Sequence, residues 1–174
     1  GLFAGLVFNS YPPGRIFFLL PLFFLFYKPL KTDNLKKYLL FIIPFIITIL
    51  PLTIYLLAHK DIRFSQQFYL QNKNLSTIKK TEYFLNNIKA TALIFHFKGD
   101  MNGRHNYPGK PALNPVLGLF FILGLVIFFI KKKSIYSCFF LFYFFISLLP
   151  TLFTNPAENP NMLRTFTSLP AVVY

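Results

Sequence analysis

Acidic residues and cysteine are both scarce in this sequence, and each shortage limits the kinds of site that the protein can contain. Only 5 Asp and Glu residues stand against 18 Lys and Arg residues, which leaves a net charge of +13. The single cysteine, Cys138, excludes an intramolecular disulfide and a Cys-x-x-Cys metal site within these residues. His59 and His96 lack partners at metal-ligand spacing, so we assign no metal site and identify no cofactor.

Apolar residues, in contrast, are abundant enough to set the class of protein. They make up 55% of the 174 residues, 20% are aromatic, and the mean hydropathy is +0.52. Soluble domains are roughly 45–50% apolar even when glycine is counted, so the composition predicts an integral membrane protein. The basic residues lie between apolar runs, where anionic membrane lipids are the expected partner. No nucleic-acid-binding motif is present, and we expect no nucleic-acid partner.

Six apolar runs predict membrane spans. They cover residues 1–10, 16–27, 38–58, 113–130, 135–153 and 166–174. The chain starts without Met in one apolar run and stops in another, so we expect a fragment whose ends are cut within spans. No internal repeat is visible, which predicts one partial transmembrane domain over residues 1–174. The expected fold is an all-α, polytopic transmembrane helix bundle in the cell (plasma) membrane.

The long polar region 59–112 is predicted to be an outer loop that contains an amphipathic helix at 76–97. Apolar residues recur there at steps of helical spacing, at Ile78, Leu85, Ile88, Ala92 and Phe95. The opposite face carries Lys79, Lys80, Asn86, Asn87 and Lys89. This pattern predicts a surface helix that lies on the membrane or packs over the bundle. Ser76 or Thr77 is the expected N-cap and Gly99 the expected stop.

Loop charges predict the orientation. The short basic loops 28–37 and 131–133 have the highest density of Lys, which is typical of cytoplasmic loops. The segments Tyr11 to Arg15, 59–112 and Asn155 to Arg164 then share the extracytoplasmic side. Within them, Gly99 to Pro111 is rich in turn-forming residues and abuts the next apolar run, which predicts a shaped loop at the membrane surface.

Several polar stretches resemble one enzyme family. The stretch 99–113 reads Gly-Asp-Met-Asn-Gly-Arg-His-Asn-Tyr-Pro-Gly-Lys-Pro-Ala-Leu, and Gly118-Leu119-Phe120 and Leu123-Gly124-Leu125 follow it. Gly5-Leu6 with Tyr11 and Arg15 precedes it, and Ala157-Glu158-Asn159-Pro160-Asn161 leads into Leu163-Arg164 and Leu169-Pro170. In this order they resemble segments of GT-C membrane glycosyltransferases of the dolichyl-phosphate-mannose protein mannosyltransferase type, a group that includes the aminoarabinose transferases of lipid A.

The resemblance implies an enzyme that moves a sugar from a polyprenyl-phosphate donor to a lipid or protein acceptor on the extracytoplasmic face. In that family the catalytic acidic residue lies in the first outer loop, near the N-terminus. That part is absent here, so the catalytic residue is unknown.

The polar loops supply the candidate substrate-binding residues. Arg104 and Arg164 could hold the leaving phosphate, because a guanidinium binds phosphate in a bidentate manner, or could extend to lipid headgroups. His105 and its neighbour Asn106 could position phosphate or acceptor, or organise the loop.

Four further residues complete the candidate set. Asp100 and Glu158 could bind an acceptor or a divalent ion, or order a turn, although no ligand spacing supports an ion. Tyr11 and Arg15 could line the same cavity, or anchor a span at the interface.

Two other classes of protein remain open at this stage. A multi-span transporter or flippase of lipid-linked or anionic substrates would also use basic cavities between spans, and a structural subunit would need none. Transporters characteristically show repeated or broken helices in matching halves, and this sequence displays no such pairing.

Overall fold

A computed structural model describes residues 1–27, 35–59, 67–132 and 134–174. The chain divides into two compact units, Gly1–Phe64 and Ser65–Tyr174. Within the described ranges the residues form helices and turns, and the β contact there is one isolated antiparallel bridge between Phe68 and Thr154. The all-α prediction is confirmed, whereas a single domain over 1–174 stays a prediction. Most of the predicted basic loop 28–37, residues 60–66 of the predicted outer loop, and Lys133 lie outside the described residues.

The first unit contains helices α1 (Leu2–Ser10), α2 (Leu19–Tyr27) and α3 (Leu35–Ala58), with a 3₁₀ helix at Pro12–Ile16. Helix α1 packs closely on α3, because a Cβ on Gly5 would lie only 2.6 Å from Cβ of Thr48. The side chain of Asn9 also donates to the Thr48 carbonyl at 2.8 Å. Pro44 and Pro51 both lie inside α3.

The described residues of the second unit include five α-helices whose bounds are defined. They are α4 (Thr77–Ile94), α5 (Pro115–Ile130), α6 (Ile135–Leu152), α7 (Met162–Thr165) and α8 (Leu169–Val173). Three 3₁₀ helices accompany them, at Tyr69–Gln71, Pro156–Glu158 and Phe166–Ser168. The core of this unit is formed by Ile94, Phe95, Leu113, Leu148 and Val172.

Polar N-caps fix where the three longer helices of this unit begin. The side chain of Ser76 accepts from the Lys79 N–H at 3.3 Å, which confirms the predicted N-cap of α4. Asn114 accepts from the Leu117 N–H at 2.8 Å, with Pro115 in the first helical position of α5. Ser134 caps α6 in the same way. Helix α4 stops at Ile94, and turns carry the chain on to the predicted stop at Gly99.

Helices α5 and α6 form a hairpin, and α4 lies across its open end. The rings of Phe95, Phe121 and Phe144 meet with centroids 5.6 to 5.8 Å apart, which joins the chain after α4 to both helices. The Leu113 N–H donates to the Phe95 carbonyl at the start of α5. Asn87 of α4 donates to the Leu152 carbonyl at the end of α6. Helix α4 therefore spans the end of the hairpin opposite Lys131 and Ser134.

The face of α4 that packs is not the apolar stripe predicted from the sequence. Ile78 is 82% exposed and Leu85 is 59% exposed, while Asn87 and Thr91 are buried against α6. The prediction that Asn87 lies on the outer polar face is wrong, because its amide finds buried carbonyls at the end of α6. An exposed apolar stripe (Ile78, Leu85, Ile88 and Ala92) remains on α4.

Two of the described helices are long and apolar enough to cross a membrane. They are α3 with 24 residues and α6 with 18. At about 1.5 Å per residue, the 16 residues of α5 are short of a hydrocarbon core about 30 Å thick. The other predicted spans form shorter helices, of 9 residues each in α1 and α2 and 5 in α8. The number of crossings beyond the two long helices stays a prediction.

Candidate functional site

The segment from Gly99 to Pro111 forms a closed loop with a narrow neck. The Gly99 N–H donates to the Gly109 carbonyl at 3.1 Å, and the Gly109 N–H donates to the Asp100 carbonyl at 2.9 Å. Gly109 has φ of +76°, a conformation that favours glycine. Beyond the neck, the Ala112 N–H donates to the Ile94 carbonyl, which ties the loop to the end of α4. The segment is a shaped loop, as predicted, and its position at a membrane surface stays a prediction.

Asp100 is the buried centre of this loop. It is 4% exposed, and its carboxylate accepts from the Asn102 N–H at 2.8 Å, from the Met162 N–H at 2.9 Å and from His105 Nδ1 at 2.8 Å. Burial acts to raise the pKa of the Asp100 carboxyl, but the backbone donors of Asn102 and Met162 and the His105 ring together hold that pKa below its ordinary value of 3.8. The carboxylate is therefore ionised at neutral pH and fully engaged with donors.

The lowered pKa of Asp100 predicts a loss of stability in acid. A carboxyl whose pKa is lower in the folded chain than in the unfolded chain stabilises the fold fully above the unfolded value, and that stabilisation is lost as the pH falls through the folded value. We expect the melting temperature to fall more steeply below pH 3.8 in the wild type than in Asp100→Asn. Thermal unfolding between pH 7 and pH 3 measures the difference. Parallel curves of melting temperature against pH for the two proteins would contradict a lowered pKa for Asp100 in the folded protein.

The neighbours of Asp100 have different surroundings. The His105 side chain is 19% exposed and held by Asp100. The Asn106 amide donates to the Lys110 carbonyl at 2.7 Å and accepts from the Tyr107 N–H at 2.8 Å, so it braces the loop. The Arg104 side chain is exposed. Of the loop cations proposed from sequence, Arg104 is thus the one open to solvent.

Arg164 is buried against Glu158. It is 6% exposed, and its Nη2 donates to Oε2 of Glu158 at 2.6 Å. Its Nη1 is also buried and has no hydrogen-bond partner among the described residues. Native proteins rarely leave a buried charged donor unpaired, so Nη1 retains an unused capacity to donate a hydrogen bond at this site.

The two charged pairs are joined through α7. The carboxylate of Asp100 accepts from the N–H of Met162, the first residue of α7, and Arg164 is the third. The Asn161 side chain caps the same helix by accepting from the Arg164 N–H at 3.1 Å. The Asp100–His105 pair and the Glu158–Arg164 pair are therefore positioned by one short helix, which brings together two of the three polar segments predicted to share one side of the membrane.

A network of buried amides and hydroxyls lies beside these pairs and was missed from the sequence. Asn87 donates to the carbonyls of Leu152 and Thr154, and it accepts from the Asn159 amide at 3.1 Å. Asn159 also lies 3.4 Å from the Thr91 hydroxyl. The signal was present in the spacing of Asn87, Thr91 and Ile94, which lie on one helical face, but the stronger apolar periodicity beside it obscured that pattern.

Tyr11 and Arg15 belong to the first unit. Tyr11 is 45% exposed, and its carbonyl accepts from the Gly14 N–H at 2.7 Å, which shapes the 3₁₀ turn. The Nε of Arg15 is buried without a hydrogen-bond partner among the described residues. Their predicted place beside the other two loops stays a prediction.

Metal-ligating side chains do not gather within the described residues, where no three His, Cys, Asp or Glu groups could hold one ion. His96 contacts the Gly118 carbonyl at 3.1 Å, and His59 contacts the Tyr55 carbonyl at 3.2 Å. A divalent ion at Asp100 or Glu158 therefore gains no support from this geometry.

Comparisons of the chain with protein-family models, with curated proteins and with solved structures found no match in any of the three. A proposal for the function therefore rests on the residues and on their geometry.

Proposed function

We propose that this chain belongs to a membrane glycosyltransferase that moves a sugar from a polyprenyl-phosphate donor to a lipid or protein acceptor on the extracytoplasmic face. The observation that carries the proposal is the joined arrangement of Asp100–His105 and Glu158–Arg164, with Nη1 of Arg164 buried and unpartnered. Transfer from a phosphate-linked sugar releases a phosphate whose charge must be stabilised as it builds up. A buried guanidinium with an open N–H group suits that task.

The distribution of polar and apolar side chains supports a membrane location. Large apolar side chains are exposed along α3 and α5, among them Leu40, Ile47 and Phe120. Polar side chains such as Asn87, Thr151 and Ser168 are buried in the second unit. Exposed apolar surface of this extent is unusual for a soluble monomer and is expected where lipid is the solvent. We propose a multi-pass protein of the plasma membrane.

The proposed roles follow from these surroundings. Arg164 is proposed to bind the carrier phosphate. The exposed Arg104 is proposed to contact the same phosphate, either in the bound state or as the donor enters the site. Asp100 positions His105 and α7 and does not act as the base, because its oxygens are occupied by three donors. His105 and Asn106 are proposed to contact the acceptor. The group that deprotonates the acceptor is not assigned.

The site is proposed to face outward, opposite the Lys131–Lys132 end of the hairpin. We expect an impermeant maleimide to label a cysteine at Asn102 in intact cells and a cysteine at Lys132 only after permeabilisation, both in a Cys138→Ser background. The reason is that α5 separates the closed loop from Lys131 along its length. Labelling of position 132 alone in intact cells would refute the proposed orientation.

Transfer and transport can be separated directly. Full-length protein in liposomes is supplied with polyprenyl-phosphate sugars labelled in the sugar, together with membrane lipid and protein acceptors. A transferase releases free polyprenyl phosphate and labels the acceptor. Movement of intact donor across the bilayer, without release of the carrier phosphate, would replace this proposal with a flippase.

A further inference from the structure

A pocket of about 260 Å³ opens between α4 and the loop that follows α6. Asn86, Lys89 and Lys98 line it from α4 and the turn after it, and Asn159 lines it from the loop, while apolar atoms, those of Leu93 among them, make up most of its surface. None of its described lining residues is acidic. Its volume approaches the range of small-ligand sites, about 300–1,000 Å³.

Among the described residues, the two lysines of this pocket have no acidic partner, because each of the three described acids pairs with another cation. Glu82 pairs with Lys79 at 3.0 Å, Asp100 with His105, and Glu158 with Arg164. The ammonium groups of Lys89 and Lys98 therefore give the pocket an uncompensated positive charge. Low salt would strengthen its attraction for anions.

The wall opposite the lysines is held in place before any ligand arrives. The Asn159 amide donates to Oδ1 of Asn87 at 3.1 Å and lies 3.4 Å from the Thr91 hydroxyl. Asn87 is itself fixed to the carbonyls of Leu152 and Thr154. A pre-formed wall reduces the entropy that a ligand must lose on binding.

The apolar stripe of α4 indicates from which side a ligand reaches the pocket. Asn86 and Ala90 of the lining lie on the helix flank away from Ile88, as the rotation of about 100° per residue requires. If the stripe rests in lipid, the pocket opens toward the headgroups and the aqueous phase. A polar molecule can then enter without crossing hydrocarbon.

We propose that this pocket binds a phosphomonoester carried by a hydroxylated molecule, such as a sugar phosphate or a phosphomonoester headgroup. A phosphomonoester carries a charge of about −1.5 to −2 at pH 7, which two ammonium groups match, whereas a carboxylate carries one. The pocket has room for more than phosphate, and the amide of Asn86 offers hydrogen bonds to hydroxyls. This site is distinct from Arg164 and goes beyond the proposed transfer, because it would serve a transferase or a transporter.

Calorimetric titration of full-length protein in phosphatidylcholine nanodiscs tests the site with glucose 6-phosphate, inorganic phosphate and glucose. We expect glucose 6-phosphate to bind more tightly than inorganic phosphate and glucose to show no binding. Lys89→Met and Lys98→Met should each weaken glucose 6-phosphate binding about tenfold or more, since each removes a charged hydrogen bond. Lys79→Met on the same helix should bind as the wild type does. All three lysines are exposed, and melting temperatures confirm that the variants fold.

Nanodiscs that contain phosphatidic acid distinguish the two sources of the phosphomonoester. Loss of glucose 6-phosphate binding in these discs assigns the site to a lipid headgroup, and unchanged binding assigns it to a soluble phosphate ester. Equal affinity in the wild type, Lys89→Met and Lys98→Met would overturn the proposal, as would binding of neither compound. The two proposals are tested separately. Absence of glucose 6-phosphate binding would not change the result of the sugar-transfer assay, and absence of sugar transfer would not argue against this binding site.

Discussion

Replacing Arg164 with alanine is expected to lower sugar transfer by the full-length protein about a hundredfold or more. Removing one donor that stabilises charge in a transition state typically costs about 3–4 kcal/mol, and each 1.4 kcal/mol is about tenfold in rate. Arg164 is buried, and its Nη1 has no other partner among the described residues, so in this proposal it is the cation that binds the departing phosphate directly. Turnover with a polyprenyl-phosphate sugar measures the effect.

The ion pair with Glu158 requires a matched comparison, because Arg164 is buried and a change that breaks its partly exposed pair can also destabilise the protein. Glu158→Gln removes the pair but keeps the guanidinium, so we expect a much smaller loss of turnover than in Arg164→Ala. Arg164→Lys should recover part of the loss, since a point charge lacks the planar fork. Lys110→Ala, an exposed lysine of the closed loop, serves as the mild control. Equal losses in Glu158→Gln and Arg164→Ala would reduce Arg164 to a structural role.

The sequence predicted the helices where one signal dominated. Continuous apolar runs located α3 and α6, and the caps at Ser76 and Ser134 mark where α4 and α6 begin. The packing of α4 was not predictable in the same way, because an apolar stripe can face either a protein core or lipid. Helix α4 buries Asn87 and leaves Ile78 exposed, a choice decided by carbonyls that only the folded hairpin supplies.

The site was predictable as a set of loops but not as a set of contacts. Turn-forming residues identified the segment around Asp100, and its closed shape follows from Gly99 and Gly109. The pairing of Arg164 with Glu158 joins residues six apart, from the end of the 3₁₀ helix at Pro156–Glu158 to α7, and spacing alone did not indicate it. The link from Asp100 to Met162 spans 62 residues and depends on the tertiary fold.

The neck of the closed loop gives the largest expected effect on stability, through Gly99→Ala. A Cβ at position 99 would lie 1.7 Å from the Lys110 carbonyl oxygen and 2.5 Å from its carbon. Both atoms are backbone, so the neck must open and the hydrogen bond from Gly99 to Gly109 must break. Opening the neck would also move Asp100 away from the Met162 N–H. Overpacking of this kind costs about 1–3 kcal/mol, and the lost hydrogen bonds add about 1 kcal/mol each.

We expect the melting temperature of Gly99→Ala to fall by about 6 °C or more, at roughly 2–4 °C per kcal/mol for a chain of this size. Gly103→Ala is the matched control in the same loop, because its Cβ would meet only Cγ of Pro108 at 3.6 Å, an ordinary contact. That variant should melt within about 1–2 °C of the wild type, as surface substitutions usually do. Melting temperatures are measured in one detergent for all three proteins. If Gly99→Ala and Gly103→Ala have the same melting temperature, the closed neck does not hold the Asp100 contacts in place. Asp100 must then be positioned by α7 alone.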